Sequence, residues 1–461
     1  MLAALLSASL FSCGGEQDGG SGSSGSPPNV LLIVIDTLRK DALGCLGNER
    51  DLTPELDRLA GEGVLFTGAR SSSSWTLPAH ASLFSSSLPA QHGVLVQTRR
   101  LPDHYVTLAE VLREGGWRTG GFTDGGFVLP MYGYMKGFDW IHVSPDADRK
   151  TGERYGVEYV TERALKWIRR KPGPFFVFLQ TYEVHSPFDA PEPFRSRFVR
   201  PYEGPLPRVP GMRRVNQSYD AGELTENDLR YLHDLYLAGV AYTDHVLGKL
   251  FEELRRDGLL DSTLVVVTSD HGEDFGEHGH LGHGDWLHES LLEVPLIVRF
   301  PGNYDGGATA EQPVRLVDIA PSILELAGLE IPEDWVGLSL HEVDAERDFL
   351  ASVTRTEKTA TPGAAVEERT AHAILEGSQK WVRYGPGFEP TWTSAGEQRF
   401  TRFDLGADPS EGVDLFTEDS RAAALARFGE LLGRYPQDGV AERSKHSDKE
   451  LSTLRALGYT E

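Results

Sequence analysis

Val30-Leu31-Leu32-Ile33-Val34-Ile35 is an unbroken apolar run that stops at Asp36-Thr37-Leu38-Arg39. A strand with one wet face alternates polar and apolar residues. This one does not, as expected of a strand buried on both faces of a parallel sheet. Similar runs recur at Phe175-Phe176-Val177-Phe178-Leu179, Leu264-Val265-Val266-Val267 and Val294-Pro295-Leu296-Ile297-Val298, with helical patterns at Thr107–Glu114 and Asn227–Arg256 between them. The alternation predicts a doubly wound α/β domain with a mostly parallel sheet over residues 29–345. Beyond Ser339 it fades. Thr370–Tyr384 and Arg399–Phe403 read as short alternating strands and Glu418–Leu432 as a helix, which predicts a small C-terminal α+β subdomain over 346–461. Pro187–Gly222, rich in Pro, Arg and Gly, reads as a long surface excursion near the site.

The chain has 461 residues, is 39% hydrophobic and 25% charged, and carries a formal net charge of −24. That acidity argues against nucleic acid as a partner, because phosphate backbones need clustered Lys and Arg. It fits a solvated surface equally well. Residues 1–13 are small and apolar and end in Leu10-Phe11-Ser12-Cys13; they resemble a bacterial lipoprotein signal whose Cys13 carries the lipid. The run is too short to span a bilayer. Residues 14–28, Gly/Ser-rich, read as a flexible tether. Together they predict an exported protein, periplasmic or at the cell surface, that meets the membrane only through its N-terminal lipid anchor. Cys45 is the other cysteine, so no internal disulfide is expected once Cys13 is lipidated. Oligomeric state is not legible.

Ligands of open α/β sheets bind at the carboxyl ends of the strands. Two such ends carry acids: Asp36, and Asp270 within Ser269-Asp270-His271-Gly272-Glu273. Either alone reads equally well as a turn residue or helix cap. Converging carboxylates repel unless a cation neutralises them, so the pair points to a metal. Trp75-Thr76-Leu77-Pro78-Ala79-His80 opens a helical pattern with Pro in its first turn. Thr76 then lies at a helix N-terminus, where anions are favoured. It reads either as an N-cap or as a nucleophile. Asp244-His245 does not read as a second metal pair, because neighbours on a helix point about 100° apart.

Thr76-Leu77-Pro78-Ala79-His80-Ala81-Ser82-Leu83 resembles the signature of the sulfatase family, in the alkaline phosphatase superfamily. There a Cys or Ser opens the pattern and is oxidised to formylglycine. Thr cannot make that aldehyde. The metal segments at Asp36 and at Asp270-His271, then Leu316-Val317-Asp318-Ile319-Ala320-Pro321-Ser322 and Arg402-Phe403-Asp404-Leu405, follow in the family's order. The resemblance implies one divalent ion held by Asp36, Thr76, Asp270 and His271. Sulfatases carry two acids in tandem at the first segment, whereas Asp36 is followed by Thr37. An imidazole among few oxygens favours Zn²⁺ or Mn²⁺, with Ca²⁺ possible if water or substrate completes its shell. Superfamily branches with a Thr nucleophile, such as lipid phosphoethanolamine and phosphoglycerol transferases, resemble this arrangement.

The resemblance also implies substrate contacts. His80 stands where sulfatases have an Arg. His185, in Tyr182-Glu183-Val184-His185-Ser186-Pro187, matches a His that touches the charged oxygens or leaving group. His283, in Gly279-His280-Leu281-Gly282-His283-Gly284, matches a substrate-binding Lys. Both are candidate catalytic residues, each against the plainer reading of a backbone hydrogen bond or a solvated loop. The Gly-Lys-Trp-His segment is missing, with Gly120–Asp124 in its place and Lys136 the candidate substitute. Arg195, Arg197 and Arg200 hint at an anionic substrate, or at a solvated charged loop. The reading is a metal-dependent hydrolase or transferase of anionic phosphate or sulfate esters, with Thr76 as nucleophile and phosphoesters favoured. Its rivals are a sulfatase acting without formylglycine and a non-catalytic binding lipoprotein that retains the fold.

Overall fold

A computed structural model describes residues 27–145, 156–303, 305–343, 347–357, 367–386, 388, 398–436 and 442–443. The expected signal with Cys13, and tether residues 14–26, lie outside the described residues. Strands β1 (Asn29–Ile35), β2 (Val64–Phe66), β3 (Arg118–Thr123), β4 (Trp140–Val143), β5 (Phe175–Thr181), β6 (Thr263–Thr268), β7 (Leu296–Arg299) and β8 (Ala308–Ala310) form an eight-stranded sheet in the order β8-β2-β7-β6-β1-β5-β3-β4. β1 pairs in parallel with β5 on one side and β6 on the other.

Only β7 runs against the rest, antiparallel to both β6 and β2. Its sequence looks like that of its parallel neighbours because an unbroken apolar run records burial on both faces and says nothing of direction. All of β1 is buried. Val30, Leu32 and Val34 enter one core while Leu31, Ile33 and Ile35 enter the other, the two-residue period of a pleated strand.

Helices α1 (Pro54–Gly61), α2 (Thr76–Ser85), α3 (Leu108–Glu114), α4 (Val157–Ile168), α5 (Glu226–Arg256) and α6 (Ile319–Ala327) cover both faces. α2, α3 and α6 pack into the first core, and α1, α4 and α5 into the second. α5 starts with a reciprocal cap. Thr225 Oγ1 accepts from the Asp228 N–H at 3.3 Å and Asp228 Oδ2 accepts from the Thr225 N–H at 2.8 Å. Arg255 and Arg256 close it on the favourable end of its dipole.

The C-terminal subdomain is an antiparallel meander, β9 (Phe349–Glu357), β10 (Glu367–Glu376), β11 (Gln379–Tyr384) and β12 (Arg399–Asp404), with α7 (Arg421–Arg434) on one face. Trp381, Phe400, Phe428 and Leu431 fill that contact. The opposite face, through Ala351, Val353, Ala373 and Val382, joins the core that holds α2. No helix among the described residues is long and apolar enough to cross a membrane.

Candidate active site

Asp36 directly follows β1, Asp270 lies two residues beyond β6, His185 sits in the turn after β5, and Thr76 is the first residue of α2. Three neighbouring central strands therefore deliver their carboxyl ends to one crevice, with a helix N-terminus facing them. Thr76 Oγ1 lies 3.2 Å from Asp36 Oδ2 and 3.4 Å from His271 Nε2. It is not the N-cap. Trp75 occupies that position, and no side chain caps the helix. Gly272 allows the turn to close: a Cβ there would lie 1.9 Å from the Ser290 carbonyl oxygen.

The site is buried and lined by two acids. Asp36, Thr76, Asp270 and His271 are fully buried. Neither Asp36 nor Asp270 has a Lys or Arg ion pair among the described residues, and Asp36 Oδ1 and Asp270 Oδ2 have no hydrogen-bond partner. Burial first, and then the neighbouring Asp270, push the Asp36 carboxyl well above the usual range. His271 Nδ1 donates to the Gly272 carbonyl at 2.9 Å, which turns the Nε2 lone pair toward Thr76 and Asp270. Burial drives its pKa down to about 4, so the ring stays neutral. Two bare carboxylate oxygens, an imidazole lone pair and a hydroxyl converge here, and this donor set fits a divalent cation.

Thr37 was not singled out by sequence. It adopts φ 56°, the left-handed region that disfavours β-branched residues. Its N–H donates to Asp270 Oδ1 at 3.3 Å and its carbonyl accepts from the Tyr236 hydroxyl at 3.0 Å. Its Oγ1 is buried without a partner, a spare oxygen beside Asp36. The signal for it was its place in the tandem-acid segment.

His80 lies one turn along α2, its Nδ1 2.9 Å from the Thr76 carbonyl and 3.5 Å from Asp270 Oδ2. Its Nε2 has no partner among the described residues. His185 and His283 complete a row of rings with His271, at centroid separations of 5.0 and 4.5 Å. His185 Nδ1 donates to the Ser186 carbonyl at 2.6 Å, and burial, with His283 alongside, holds its pKa well below normal. His283 goes the other way. Burial opposes its charge, but the Glu273 carboxylate 3.1 Å from Nδ1 outweighs it and raises the pKa. Glu273 is the second residue that sequence reasoning quoted without assigning.

Other sequence candidates turn out to be tied into the scaffold. Lys136 Nζ donates to the Asp103 carbonyl at 2.7 Å and sits 3.3 Å from Glu110. Arg195 is buried and donates to the Arg208 carbonyl and the Tyr231 hydroxyl. Arg197 pairs with Asp51, and Arg200 with Asp234. Asp244 accepts from the Glu55 and Leu56 N–H groups and so caps α1.

The family model for sulfatases matches residues 28–329. The chain belongs to the sulfatase family, ester hydrolases of the alkaline phosphatase superfamily. It is 27% identical to the multifunctional alkaline phosphatase superfamily protein PehA of Trinickia caryophylli, over 93% of this chain and 97% of that protein. It is 24% identical to an arylsulfatase of Clostridium perfringens, over 88% and 93%. Among solved structures, the phosphonate monoester hydrolase of Agrobacterium radiobacter superimposes with a TM-score of 0.69 at 23% identity, covering 88% of this chain and 95% of that one. A protein solved with its substrate D-glucosamine-2-N,6-O-disulfate gives the same score at 21% identity, covering 89% and 97%. Members of this superfamily use a divalent metal ion, and the Asp36, Asp270 and His271 group could hold one.

Proposed function

We propose that this enzyme transfers or hydrolyses anionic phosphoesters with Thr76 as its nucleophile. The observation that carries the proposal is the Thr76 hydroxyl, buried within 3.2 and 3.4 Å of Asp36 and His271 and committed to them rather than to capping its helix. Asp36, Asp270, His271 and Thr76 would hold a divalent ion, Zn²⁺ or Mn²⁺ before Ca²⁺, with the Thr37 hydroxyl as a further oxygen. Such an ion neutralises the paired carboxylates and lowers the hydroxyl pKa.

In the proposed cycle Thr76, ionised before attack with its proton released to solvent, forms a bond from Oγ1 to phosphorus as the bond to the leaving oxygen breaks. His283, whose pKa is raised by Glu273 against the opposing effect of burial, gives a proton to that oxygen. His185, held neutral by burial, donates no charge of its own and orients the transferring group. Water or an acceptor alcohol then attacks phosphorus, returns one proton to His283 and frees Thr76 as the alkoxide. His80 keeps Asp270 and the first turn of α2 in register. Phosphorus suits a plain alkoxide better than sulfur does, because formylglycine hydrate can expel sulfate without water attacking sulfur and a Thr ester cannot. PehA and the phosphonate monoester hydrolase, by their names, are precedents for phosphorus among its relatives. The arylsulfatase and disulfated-sugar relatives favour the second reading, a sulfatase acting without formylglycine. Export and lipidation at Cys13 stay part of the proposal on the sequence of residues 1–28 alone.

Parallel hydrolysis of an aryl phosphodiester and an aryl sulfate by Zn²⁺- or Mn²⁺-loaded enzyme tests this. Phosphodiester turnover should fall on the order of 10³-fold or more in Thr76→Ala. Sulfate turnover that depends on Thr76, without phosphodiester turnover, would establish the second reading instead. Full activity in the variant would remove Thr76 from the chemistry.

A further inference from the structure

The loop after β6 carries more histidines than the active site uses. His278 and His288 face the seam between that loop and the C-terminal subdomain, and their rings stack at 4.0 Å with planes 1° apart. Glu411, in the segment between β12 and α7, enters the seam from the other side. Its Oε2 lies 3.5 Å from His288 Nδ1 and 4.0 Å from His278 Nε2.

We propose that His278, His288 and Glu411 form a second divalent-cation site, of the zinc class, that fastens the C-terminal subdomain to the loop bearing His283. Ligand atoms of the three side chains lie within 4.8 Å of one another and come from both sides of the seam. Two imidazoles and a carboxylate form a donor set that zinc accepts.

Hydrogen-bond arithmetic at His278 points to a cation independently. Its Nδ1 lies 3.3 Å from Asp274 Oδ1, and its Nε2 lies 3.1 Å from the Ser410 carbonyl as well as 4.0 Å from Glu411. Both nitrogens therefore face acceptors, and a neutral imidazole donates only once. With the proton on Nδ1, the Nε2 lone pair is left against a carbonyl and a carboxylate. A cation at Nε2 turns that repulsion into coordination. Asp274 then plays the part of the carboxylate that fixes the tautomer of a ligating histidine.

Charge balance agrees. Lys380 Nζ is shared between Glu289 at 2.7 Å and Glu411 at 2.8 Å, and Arg70 also pairs with Glu289 at 2.7 Å, two cations against Glu289, Glu411 and Asp274. Asp274, 1% exposed, has no Lys or Arg ion pair among the described residues, and its Oδ2 has no hydrogen-bond partner. Buried carboxylates outnumber buried cations at the seam, the situation that a bound cation relieves. The site shares no ligand with the Asp36 site, so it stands or falls separately from the proposed catalysis.

The experiment uses metal-stripped full-length protein with the catalytic site disabled by Asp36→Asn, titrated with Zn²⁺ by calorimetry. Asp36→Asn should bind one saturable equivalent that is lost when His278→Gln and His288→Gln are added. Equal binding with and without the two histidines would overturn the proposal, assigning the zinc to other surface groups. No saturable equivalent in Asp36→Asn would overturn it too, leaving a proton on His278 as the answer to the acceptor pair. Should the triple variant fail to fold, cobalt loading of Asp36→Asn decides. Visible d–d bands of a nitrogen- and oxygen-ligated low-coordinate ion that weaken when His288→Gln alone is added support the site; bands unchanged by that substitution, or a colourless protein, sink it.

Discussion

Asp36 and Asp234 are both fully buried aspartates, and they meet burial in opposite ways. Asp234, on α5, is surrounded by Arg50 at 2.9 Å, Arg200 at 2.8 Å and Arg230 at 2.9 Å. Burial works against its charge, but the hydrogen bonds from Arg200 and Arg50 prevail and lower its pKa. Asp36 has no Lys or Arg partner among the described residues, with His271 Nε2 4.0 Å away, and burial, then the second carboxylate beside it, pushes it the other way. The chain supplies Asp234's counter-charge from three segments, so that residue staples the 187–222 excursion to α5. Among the described residues no Lys or Arg does the same for Asp36. A buried carboxylate that the fold balances is architecture; one that the fold leaves unbalanced is a place for something the chain does not contain.

The sharpest way to break this comparison is Asp36→Asn in the otherwise intact enzyme. Metal affinity should fall on the order of 10²-fold or more and turnover with it, while the metal-free protein melts at a higher temperature because one of two repelling carboxylates is gone. Calorimetry with and without chelator reads both. A metal-free variant that melts lower than wild type would show that Asp36 is structural after all.

Asp234→Asn is the mirror experiment, with a smaller effect. It strands three guanidiniums, two of them only partly exposed, and should cost about 3 kcal/mol of stability, read from denaturant midpoints. The pH dependence carries a sign. A carboxylate whose folded pKa is depressed stabilises above its unfolded value of 3.8 and loses that contribution as pH falls through the folded value. Acid unfolding should therefore flatten below about pH 4 in this variant. An unchanged acid limb would mean the arginines contribute nothing net.

His92 gives the smallest effect and a third answer to burial. Its Nδ1 accepts from the Val94 N–H at 3.0 Å and its Nε2 meets Ser82 Oγ at 3.1 Å, so the neutral ring is satisfied. Burial lowers its pKa to about 3 from 6.5. The folded state resists the proton, so stability is present above pH 6.5 and lost as pH falls toward 3. Between pH 6.5 and 5 the loss should reach about 2 kcal/mol, and His92→Asn should make melts across this range shallower by that amount while the part owed to His185 and His271 stays. A slope unchanged from wild type would assign all of it to those other histidines.

How far each feature could be read depends on what generates it. The apolar run at β1, the Pro in the first turn of α2 and the caps of α5 act over a few residues, so the sequence alone determined the sheet's central strands, helices α2, α3 and α5 and the acids at the strand ends. Direction was beyond it: β7 looks like its neighbours and runs against them, because pleat burial is blind to polarity. So were the partners of charged side chains. Arg195, Arg197 and Arg200 read as a hint of an anionic ligand until folding brought up Asp51, Asp234 and Tyr231. Thr76 as cap or nucleophile was undecidable within its own helix, since both readings use the same residue at the same place. Only the folded chain removes the cap, which falls to Trp75, and the 3.2 Å approach of Asp36, forty residues away in the chain, is what the proposal of a nucleophile rests on. Local propensity is written in neighbours, whereas the balance of buried charge is settled only when distant segments meet, and it is that balance which separates the site of this protein from its scaffold.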